Sequence, residues 1–195
     1  MEKLVLQETA VHLCLDMQRL FAQGAVWSTP WMSRVLPVVE RMAEAFQPRN
    51  VFTRFIPPGQ PDEAAGRWRA FYDKWANVTR DSLNRDNLRL VPELERFTPP
   101  AAVFDKVVYS AFYDGRLHSF LQEKKISTLV VTGAETDICV LSTVLNAVEH
   151  GYRVVLVEDA LCSSSDAGHD ALMTMYRERL SIQIELIKSQ SLFED

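Results

Sequence analysis

Three residues of types that carry covalent catalysis stand at or near the predicted ends of apolar segments. Asp16 closes the segment VHLCLDMQ, Lys106 lies within VFDKVVYSAF, and Cys139 lies within GAETDICV, where an apolar segment leads into a helical pattern. A cysteine in the first turn of a helix is close to unpaired backbone N–H groups and to the positive end of the helix dipole. Both favour the thiolate, which is the nucleophilic form of cysteine. The same N–H groups could hold an oxyanion.

Each of these residues also has a simpler structural interpretation. Cys139 can be a buried, inert, small apolar residue. Asp16 can cap a strand end or a loop, and Lys106 can lie on an edge strand and reach solvent. The catalytic hypothesis makes Asp16 the general base for the Cys139 thiol and makes Lys106 the charge that pairs with Asp16 and stabilises the thiolate. It requires that distant stretches of the chain bring the three side chains together.

Short apolar segments alternate with amphipathic ones along the chain, which is typical of a mostly parallel sheet covered on both faces. We predict strands within 11–18, 50–55, 103–112, 127–134, 153–160 and 181–187, and helices over 33–47, 117–125, 137–150 and about 166–180. Residues 78–100 are predicted to form a loop. The predicted fold class is α/β, with a three-layer α/β/α, Rossmann-like domain over 1–195 and a mostly parallel six-stranded sheet. Ligands of such sheets bind outside the carboxyl ends of the strands.

Composition and charge exclude several classes of function. With 21 basic and 26 acidic residues the net charge is −5, and no Lys/Arg run is present, so we expect neither a nucleic-acid partner nor a membrane partner. No apolar stretch reaches the length needed to cross a bilayer. The N-terminus lacks the basic start and cleavage site of a secretory signal. The 3 cysteines are too few and too widely spaced for a disulfide framework, which favours a cytoplasmic location.

The segments LCLDMQ, DKVVYSAF, TGAETDICV and VVLVEDALCSSS, in this order, resemble the cysteine hydrolases of the isochorismatase-like superfamily. That group includes nicotinamidases and N-carbamoylsarcosine amidases, and the resemblance runs from about Val11 to Ile187. It implies a parallel six-stranded sheet, a homo-dimer or homo-tetramer, and a catalytic triad at Asp16, Lys106 and Cys139. It also implies a non-proline cis peptide between Ala134 and Glu135, with the backbone N–H groups of Glu135 and Cys139 as oxyanion donors.

Departures from the family pattern narrow the activity. Nicotinamidases continue after a VFTRF-like strand with an Asp and a His that bind a divalent metal, whereas Phe55 and Pro57 stand at those places here. No histidine has a partner at metal-ligand spacing, so we expect no metal and no cofactor, and nicotinamide is disfavoured as the substrate. True isochorismatases lack the cysteine, so Cys139 points to covalent amide chemistry.

Aromatic residues near the triad positions are the candidate substrate-binding residues: Phe21, Trp27, Tyr109 and Phe112. Arg54 is a further candidate, because it could bind a substrate carboxylate, although an ordinary salt bridge is an equal alternative. Trp68, Phe71, Tyr72 and Trp75 share one predicted helical face, which either packs in the core or walls the pocket. His169 is predicted to lie on a helix surface or to cap a helix, and Thr136 is a possible cap residue.

The function that these observations favour is metal-independent hydrolysis of a C–N bond in a small neutral or anionic amide, carbamoyl or ureide substrate. The reaction would pass through a Cys139 thioester. Two alternatives stay open. One is a non-catalytic binding or scaffold protein of the same fold, and the other is a metal-dependent amidase of the nicotinamidase type.

Overall fold

A six-stranded parallel sheet forms the centre of the computed structural model, which describes residues 9–193. The strand order is β3-β2-β1-β4-β5-β6, and every neighbouring pair is parallel. The strands are β1 (Ala10–Leu15), β2 (Asn50–Phe55), β3 (Ala102–Lys106), β4 (Thr128–Ala134), β5 (Arg153–Cys162) and β6 (Ile184–Ile187). The predicted α/β fold with six strands is therefore confirmed. The interpretation of the N-terminus falls partly on residues 1–8, outside the described residues.

Helices cover both faces of this sheet. They are α1 (Met32–Ala45), α2 (Arg67–Lys74), α3 (Pro92–Glu95), α4 (Arg116–Glu123), α5 (Leu141–Glu149), α6 (Asp166–Glu178) and α7 (Gln190–Phe193). A π-helical turn, Thr136–Val140, leads directly into α5. The predicted helix over 137–150 is thus present, but its first turn is wider than an α-helical turn. Such π turns are frequent at functional sites.

Two apolar clusters separate the sheet from its helices. In β1, Ala10 and Cys14 belong to the cluster beneath α1, α2 and α3, whereas Val11, Leu13 and Leu15 belong to the cluster beneath α4, α5 and α6. Side chains of a strand point alternately to opposite faces, so one fully buried strand contributes to both clusters. This arrangement confirms the three-layer α/β/α architecture.

The chain between α2 and β3 differs from the predicted loop. It contains α3 and two short 3-10 turns, Ala76–Val78 and Arg85–Leu88. Val78, Leu90 and Leu94 are buried despite the polar sequence around them. Leu90 pairs with Gln18 in an isolated bridge, and the Val91 N–H donates to the Met17 carbonyl. Tertiary contacts with the segment after β1 therefore order a stretch that has no clear periodicity of its own.

Among residues 9–193, no helix combines the length and the apolar character that crossing a bilayer requires.

Candidate active site

The parallel sheet brings the three candidate catalytic residues to one edge. Asp16 directly follows β1, Lys106 is the last residue of β3, and Cys139 lies in the π-helical turn after β4. The carboxyl ends of parallel strands share one edge of the sheet. In addition, β1 and β4 are neighbours at the point where the strand order reverses, which is where ligands of such sheets bind.

Their side chains meet beneath the surface. The Lys106 Nζ lies 2.7 Å from Asp16 Oδ2 and 3.4 Å from Cys139 Sγ, and it donates to the Val108 carbonyl at 3.2 Å. Its ammonium also lies 4.9 Å from the centre of the Phe55 ring. Asp16 is fully buried, and Lys106 and Cys139 are nearly so. The structure thus places an ammonium in contact with both an acid and a thiol, away from bulk water.

Thr53 holds the carboxylate and was missed by the sequence analysis. The backbone N–H of Asp16 donates to the Thr53 Oγ1 at 3.2 Å, and the Thr53 hydroxyl donates to Asp16 Oδ1 at 2.6 Å. Asp16 itself has a left-handed backbone, with φ of 51°. The available signal was a threonine near the end of a strand that is otherwise mostly apolar. Thr53 leaves the second oxygen, Oδ2, directed at Lys106.

The electrostatics favour a protonated thiol at rest. Burial raises the pKa of the Cys139 thiol; the Lys106 ammonium acts against that rise, and the Asp16 carboxylate adds to it. Burial is the largest single effect on Lys106 and would lower its pKa, but the contributions of Asp16 and Cys139 together outweigh it, so the net pKa is raised. The Asp16–Lys106 pair is already neutral, so a buried sulfur anion beside it would be uncompensated; this agrees with the hypothesis that Asp16 acts as the base for a Cys139 thiol.

The peptide between Ala134 and Glu135 is cis, as the family resemblance predicts. After it, the Glu135 carbonyl accepts hydrogen bonds from the N–H groups of Ile138 and Val140, and the second of these bonds defines the π turn. The Glu135 carboxylate accepts from Ser164, at 2.8 Å from its N–H and 2.5 Å from its hydroxyl. The side chain of Glu135 is thus fixed by the loop after β5, a contact that sequence reasoning did not predict.

His169 contacts the same turn and is a correction to the sequence analysis, which predicted that it lies on a helix surface or caps a helix; Ser165 caps α6 instead. His169 is buried, and its Nδ1 lies 2.9 Å from the Thr136 hydroxyl. Because that hydroxyl donates to the Cys162 carbonyl, it accepts from the imidazole, so Nδ1 carries the proton. Thr136 therefore does not cap the helix; it links β5, α6 and the turn that carries Cys139.

A cavity of about 240 Å³ opens in front of the sulfur atom. Cys139 and Ile138 form one part of its wall. The rest consists of six aromatic and two polar residues: Phe21, Trp27, Phe55, Phe71, Trp75, Tyr109, Glu135 and Ser164. Trp27 is at the centre of the aromatic group, since its ring centroid lies within about 6.1 Å of those of Phe21, Phe55, Phe71 and Trp75. Aromatic pairs at these separations reinforce each other, which makes the wall a rigid one.

Phe21, Trp27 and Tyr109 are thus in the cavity wall, but two other candidate substrate-binding residues are not. Arg54 makes a two-point ion pair with Asp105 on the neighbouring strand, at 2.6 and 2.8 Å, so the salt-bridge alternative describes it. Phe112 is buried on the other side of the sheet, against His150 and Tyr152. It comes after the chain has turned away from the end of β3, which proximity in sequence did not reveal.

The aromatic face of α2 divides between the two roles left open for it. Phe71 and Trp75 line the cavity, although Trp75 lies just past the last residue of the helix. Tyr72 is buried in the core, and Trp68 packs on Tyr109 with ring centres 4.7 Å apart. The helical spacing correctly grouped these residues but could not separate core from cavity.

The residues present do not fit a metal at the position where nicotinamidases bind one. Phe55 packs against Lys106 and Trp27 and has no donor atom, and Pro57 offers no side-chain ligand. Within residues 9–193, no group of three or more His, Cys, Asp or Glu side chains could hold a metal ion. His118 and His150 do stack, with ring centres 4.1 Å apart, which their sequence spacing did not suggest.

Comparisons with curated proteins identify relatives of this chain. YaaI of Bacillus subtilis, an uncharacterized isochorismatase family protein, is 33% identical over 79 residues, covering 40% of this chain and 44% of that protein. The alignment thus spans less than half the length of that relative. Two Arabidopsis thaliana proteins, named "Probable inactive nicotinamidase" and "Nicotinamidase 3", are each 28% identical over 166 residues. These alignments cover 82% and 84% of this chain and 83% and 78% of the relatives.

Solved structures show the same fold. An isochorismatase family protein from Desulfovibrio vulgaris superposes with a TM-score of 0.79 at 20% identity, covering 95% of this chain and 97% of that one. An N-carbamoylsarcosine amidase from Thermoplasma acidophilum gives a TM-score of 0.74 at 21% identity, covering 92% and 96%. Residues 10–187 match the family described as "Isochorismatase domain". Because this match extends over most of a chain that also has the fold, the chain belongs to the isochorismatase family.

Proposed function

We propose that this chain is a metal-independent cysteine amidohydrolase that cleaves a C–N bond in a small amide, carbamoyl or ureide substrate. The observation that carries the proposal is the contact of Lys106 with both Asp16 and Cys139, where Cys139 lines a cavity. A general base, a counter-charge and a nucleophile in mutual reach are what covalent acyl transfer requires. The names of the relatives, nicotinamidase and N-carbamoylsarcosine amidase, support the same bond type.

In the first half of the reaction, Asp16 takes the proton of the Cys139 thiol as the sulfur forms a bond to the substrate carbonyl carbon. The carbonyl oxygen becomes an oxyanion, and we assign its stabilisation to the backbone N–H groups of Glu135 and Cys139. Each such donor typically contributes about 3–4 kcal/mol. The protonated Asp16 then gives its proton to the leaving nitrogen. The C–N bond breaks, ammonia or an amine departs, and a thioester remains on Cys139.

In the second half, water attacks the thioester carbon and Asp16 accepts a proton from it. The C–S bond breaks, Asp16 returns the proton to the departing sulfur, and the Cys139 thiol is restored as the carboxylic acid product leaves, or a carbamic acid from a carbamoyl or ureide substrate. Lys106 remains charged throughout. It stabilises the negative charge, first on Asp16 and then on the sulfur. The raised pKa of the thiol means that the proton moves to Asp16 only as the carbonyl carbon arrives, so the nucleophile forms at the moment of attack.

Ammonia release from a panel of small amides, carbamoyl amines and ureides tests this function. We expect turnover of at least one class, and a loss of at least about a thousandfold in Cys139→Ala, because the thioester can no longer form. Cys14→Ala is the matched control, since Cys14 is buried in the core away from the cavity. Mass spectrometry of the quenched enzyme should find the acyl group on Cys139.

Two other outcomes would replace the proposal. Equal ammonia release by wild type and Cys139→Ala, or none from any member of the panel, would favour the non-catalytic binding protein. Activity on nicotinamide that a chelator abolishes would favour the metal-dependent amidase. The absence of donor atoms on Phe55 argues against that second outcome.

We further propose that the protein acts as one domain in a homo-dimer or homo-tetramer and works in the cytoplasm, without a cofactor. All three cysteines are buried and free, in keeping with a reducing compartment. Size-exclusion chromatography with light scattering tests the oligomeric state.

A further inference from the structure

The charge on the side chains that line the cavity is negative. Among the described residues that line it, Glu135 is the only carboxylate, and no Lys, Arg or His is present. Six of the remaining residues present aromatic rings. Two cations of the strands that carry the site are paired with carboxylates: Lys106 with Asp16, and Arg54 with Asp105. The wall therefore offers negative charge and ring faces but no positive group that could receive a substrate carboxylate.

Hydrogen bonds from Ser164 hold the Glu135 carboxylate in place without neutralising its charge. Its Oε2 accepts from the N–H and hydroxyl of Ser164, which fixes the orientation of the side chain. Within the described part of the chain, no Lys or Arg forms an ion pair with Glu135. The charge of Glu135 also acts on Tyr109 in the same wall. Burial, Cys139 and then Glu135 together raise the pKa of Tyr109.

Aromatic rings add to the preference for a cation. The face of an aromatic ring is negative, so a cation within about 6 Å of the ring centre is attracted, and an anion is not. Two rings of this wall already take part in such contacts: the Lys106 ammonium lies 4.9 Å from the centre of the Phe55 ring, and the Lys74 ammonium lies 5.6 Å from that of the Trp75 ring. Lys74 is exposed and does not line the cavity, so it leaves the inner face of the wall without a positive charge.

We propose that the substrate carries a positive charge, as an ammonium or quaternary ammonium group, which sits among the aromatic rings beside the Glu135 carboxylate while its amide carbon meets Cys139. This inference rests on the proposed amidohydrolase function and names its substrate class. It revises the expectation of a neutral or anionic substrate; Arg54, the candidate for binding a substrate carboxylate, is paired with Asp105. Glu135 then acts twice, with its side chain selecting substrates and its backbone N–H serving the oxyanion.

Three amides of similar size separate charge from shape. Betaine amide carries a trimethylammonium group, 3,3-dimethylbutanamide replaces the nitrogen of that group with carbon and is neutral, and succinamate carries a carboxylate. We would measure their binding to Cys139→Ala by calorimetry, because this variant keeps the Asp16–Lys106 pair and cannot turn the amides over. Betaine amide should bind at least about tenfold more tightly than its neutral isostere, which corresponds to about 1.4 kcal/mol. Succinamate should bind most weakly.

Adding Glu135→Gln to Cys139→Ala tests the named residue. The glutamine carbonyl can still accept from Ser164, so the wall keeps its shape while losing its charge. We expect the ratio between betaine amide and its isostere to fall to about 1–2. Glu93→Gln in the same background is the matched control, since Glu93 lies exposed on α3 and its removal takes away one carboxylate from elsewhere; the ratio should not change.

Several results would overturn the proposal: equal binding of the cation and its isostere, tighter binding of succinamate, no measurable binding of betaine amide at millimolar concentration, or a ratio that survives Glu135→Gln. Ammonia release by wild type is measured separately. Selective binding without turnover would contradict the proposed hydrolysis and leave the charge preference standing. Turnover without charge preference would contradict only this inference.

Discussion

The Asp16 carboxylate has two partners of different character: the Thr53 hydroxyl on Oδ1 and the Lys106 ammonium on Oδ2, and the same ammonium contacts the Cys139 sulfur. A buried carboxylate without such partners would cost several kcal/mol in free energy of folding. The pair with Lys106 is therefore needed for the fold as well as for the proposed chemistry. Substitutions here must be interpreted with both effects in mind.

Replacing Asp16 with Asn should lower both stability and activity. The change leaves the Lys106 ammonium buried and unpaired, and breaking such a pair costs about 3–5 kcal/mol. It also removes the proton acceptor for the thiol, which should reduce kcat by roughly 10²–10⁴-fold. Urea unfolding and ammonia release measure the two effects.

The double variant Asp16→Asn/Lys106→Met separates them. With both charges gone, stability should return to within about 1 kcal/mol of wild type, since a buried pair can often be replaced without net loss. Activity should stay low. A double variant as unstable as Asp16→Asn would show that the unpaired ammonium is not the source of the loss.

At the level of single residues, the sequence predicted which of the candidate catalytic residues come together better than it predicted where other side chains point. Asp16, Lys106 and Cys139 were found from residue type and motif, and all three meet. Arg54 and Phe112 have equally suitable side chains, but the pairing of β2 with β3 and the turn after β3 direct them elsewhere. Proximity along the chain does not determine the direction of a side chain.

The functional residues that the sequence analysis missed are those that hold the predicted site residues in place through hydrogen bonds. Thr53 orients Asp16, and Ser164 orients Glu135, each across a long separation in sequence. Neutral hydroxyl residues occur throughout the chain and carry no signal until their partner's position is known.

At the level of elements, β1 and β4 approach so closely at one point that only glycine fits. A Cβ built on Gly133 would lie 2.1 Å from the Leu15 carbonyl oxygen and 2.7 Å from the Leu15 nitrogen. The φ of Gly133 is +112°, which L side chains rarely adopt. Leu15 precedes Asp16, and Gly133 precedes the peptide leading to Glu135, so this contact fixes the distance between the two strands that carry the site.

Gly133→Ala should therefore destabilise the protein by at least about 3 kcal/mol, because backbone atoms cannot move aside as a side chain could. Urea unfolding measures the loss. Gly24→Ala is the matched control: its φ is +84°, yet a Cβ there meets nothing within 4 Å, so only backbone strain of about 1–2 kcal/mol applies. Similar losses in both variants would contradict the close approach.

Elements with strong apolar character were predictable, and those held by tertiary contacts were not. The segment NVFTRF forms β2 with the predicted bounds, and β4 begins one residue later than predicted. Residues 78–100 are polar, yet Leu90 and Leu94 are buried because the segment after β1 pairs with this stretch. Local patterns cannot reveal an element whose stability comes from a partner 70 residues away.

At the level of the whole molecule, one buried histidine ties the centre of the sheet together. His12 in β1 is fully buried, with Nδ1 2.8 Å from the Asn50 Oδ1 of β2 and Nε2 2.7 Å from the Thr132 Oγ1 of β4. The Asn50 amide donates to the Ala43 carbonyl, which directs its oxygen at the imidazole. His12 therefore donates through Nδ1 and accepts through Nε2, the pattern of the neutral ring.

That neutral ring makes global stability depend on pH. Burial lowers the pKa of His12 from 6.5 to about 4, against a smaller raising effect of Asn50. Between these values the unfolded chain binds a proton that the folded chain does not, so the stabilisation is complete above pH 6.5 and is lost as the pH falls towards 4. The loss should approach about 3 kcal/mol.

In His12→Gln, which keeps a donor and an acceptor, urea unfolding should show a pH dependence smaller by that amount. His150→Gln, at an exposed histidine, should show the same pH dependence of unfolding as wild type. If His12→Gln also shows that pH dependence, His12 is not the titrating group.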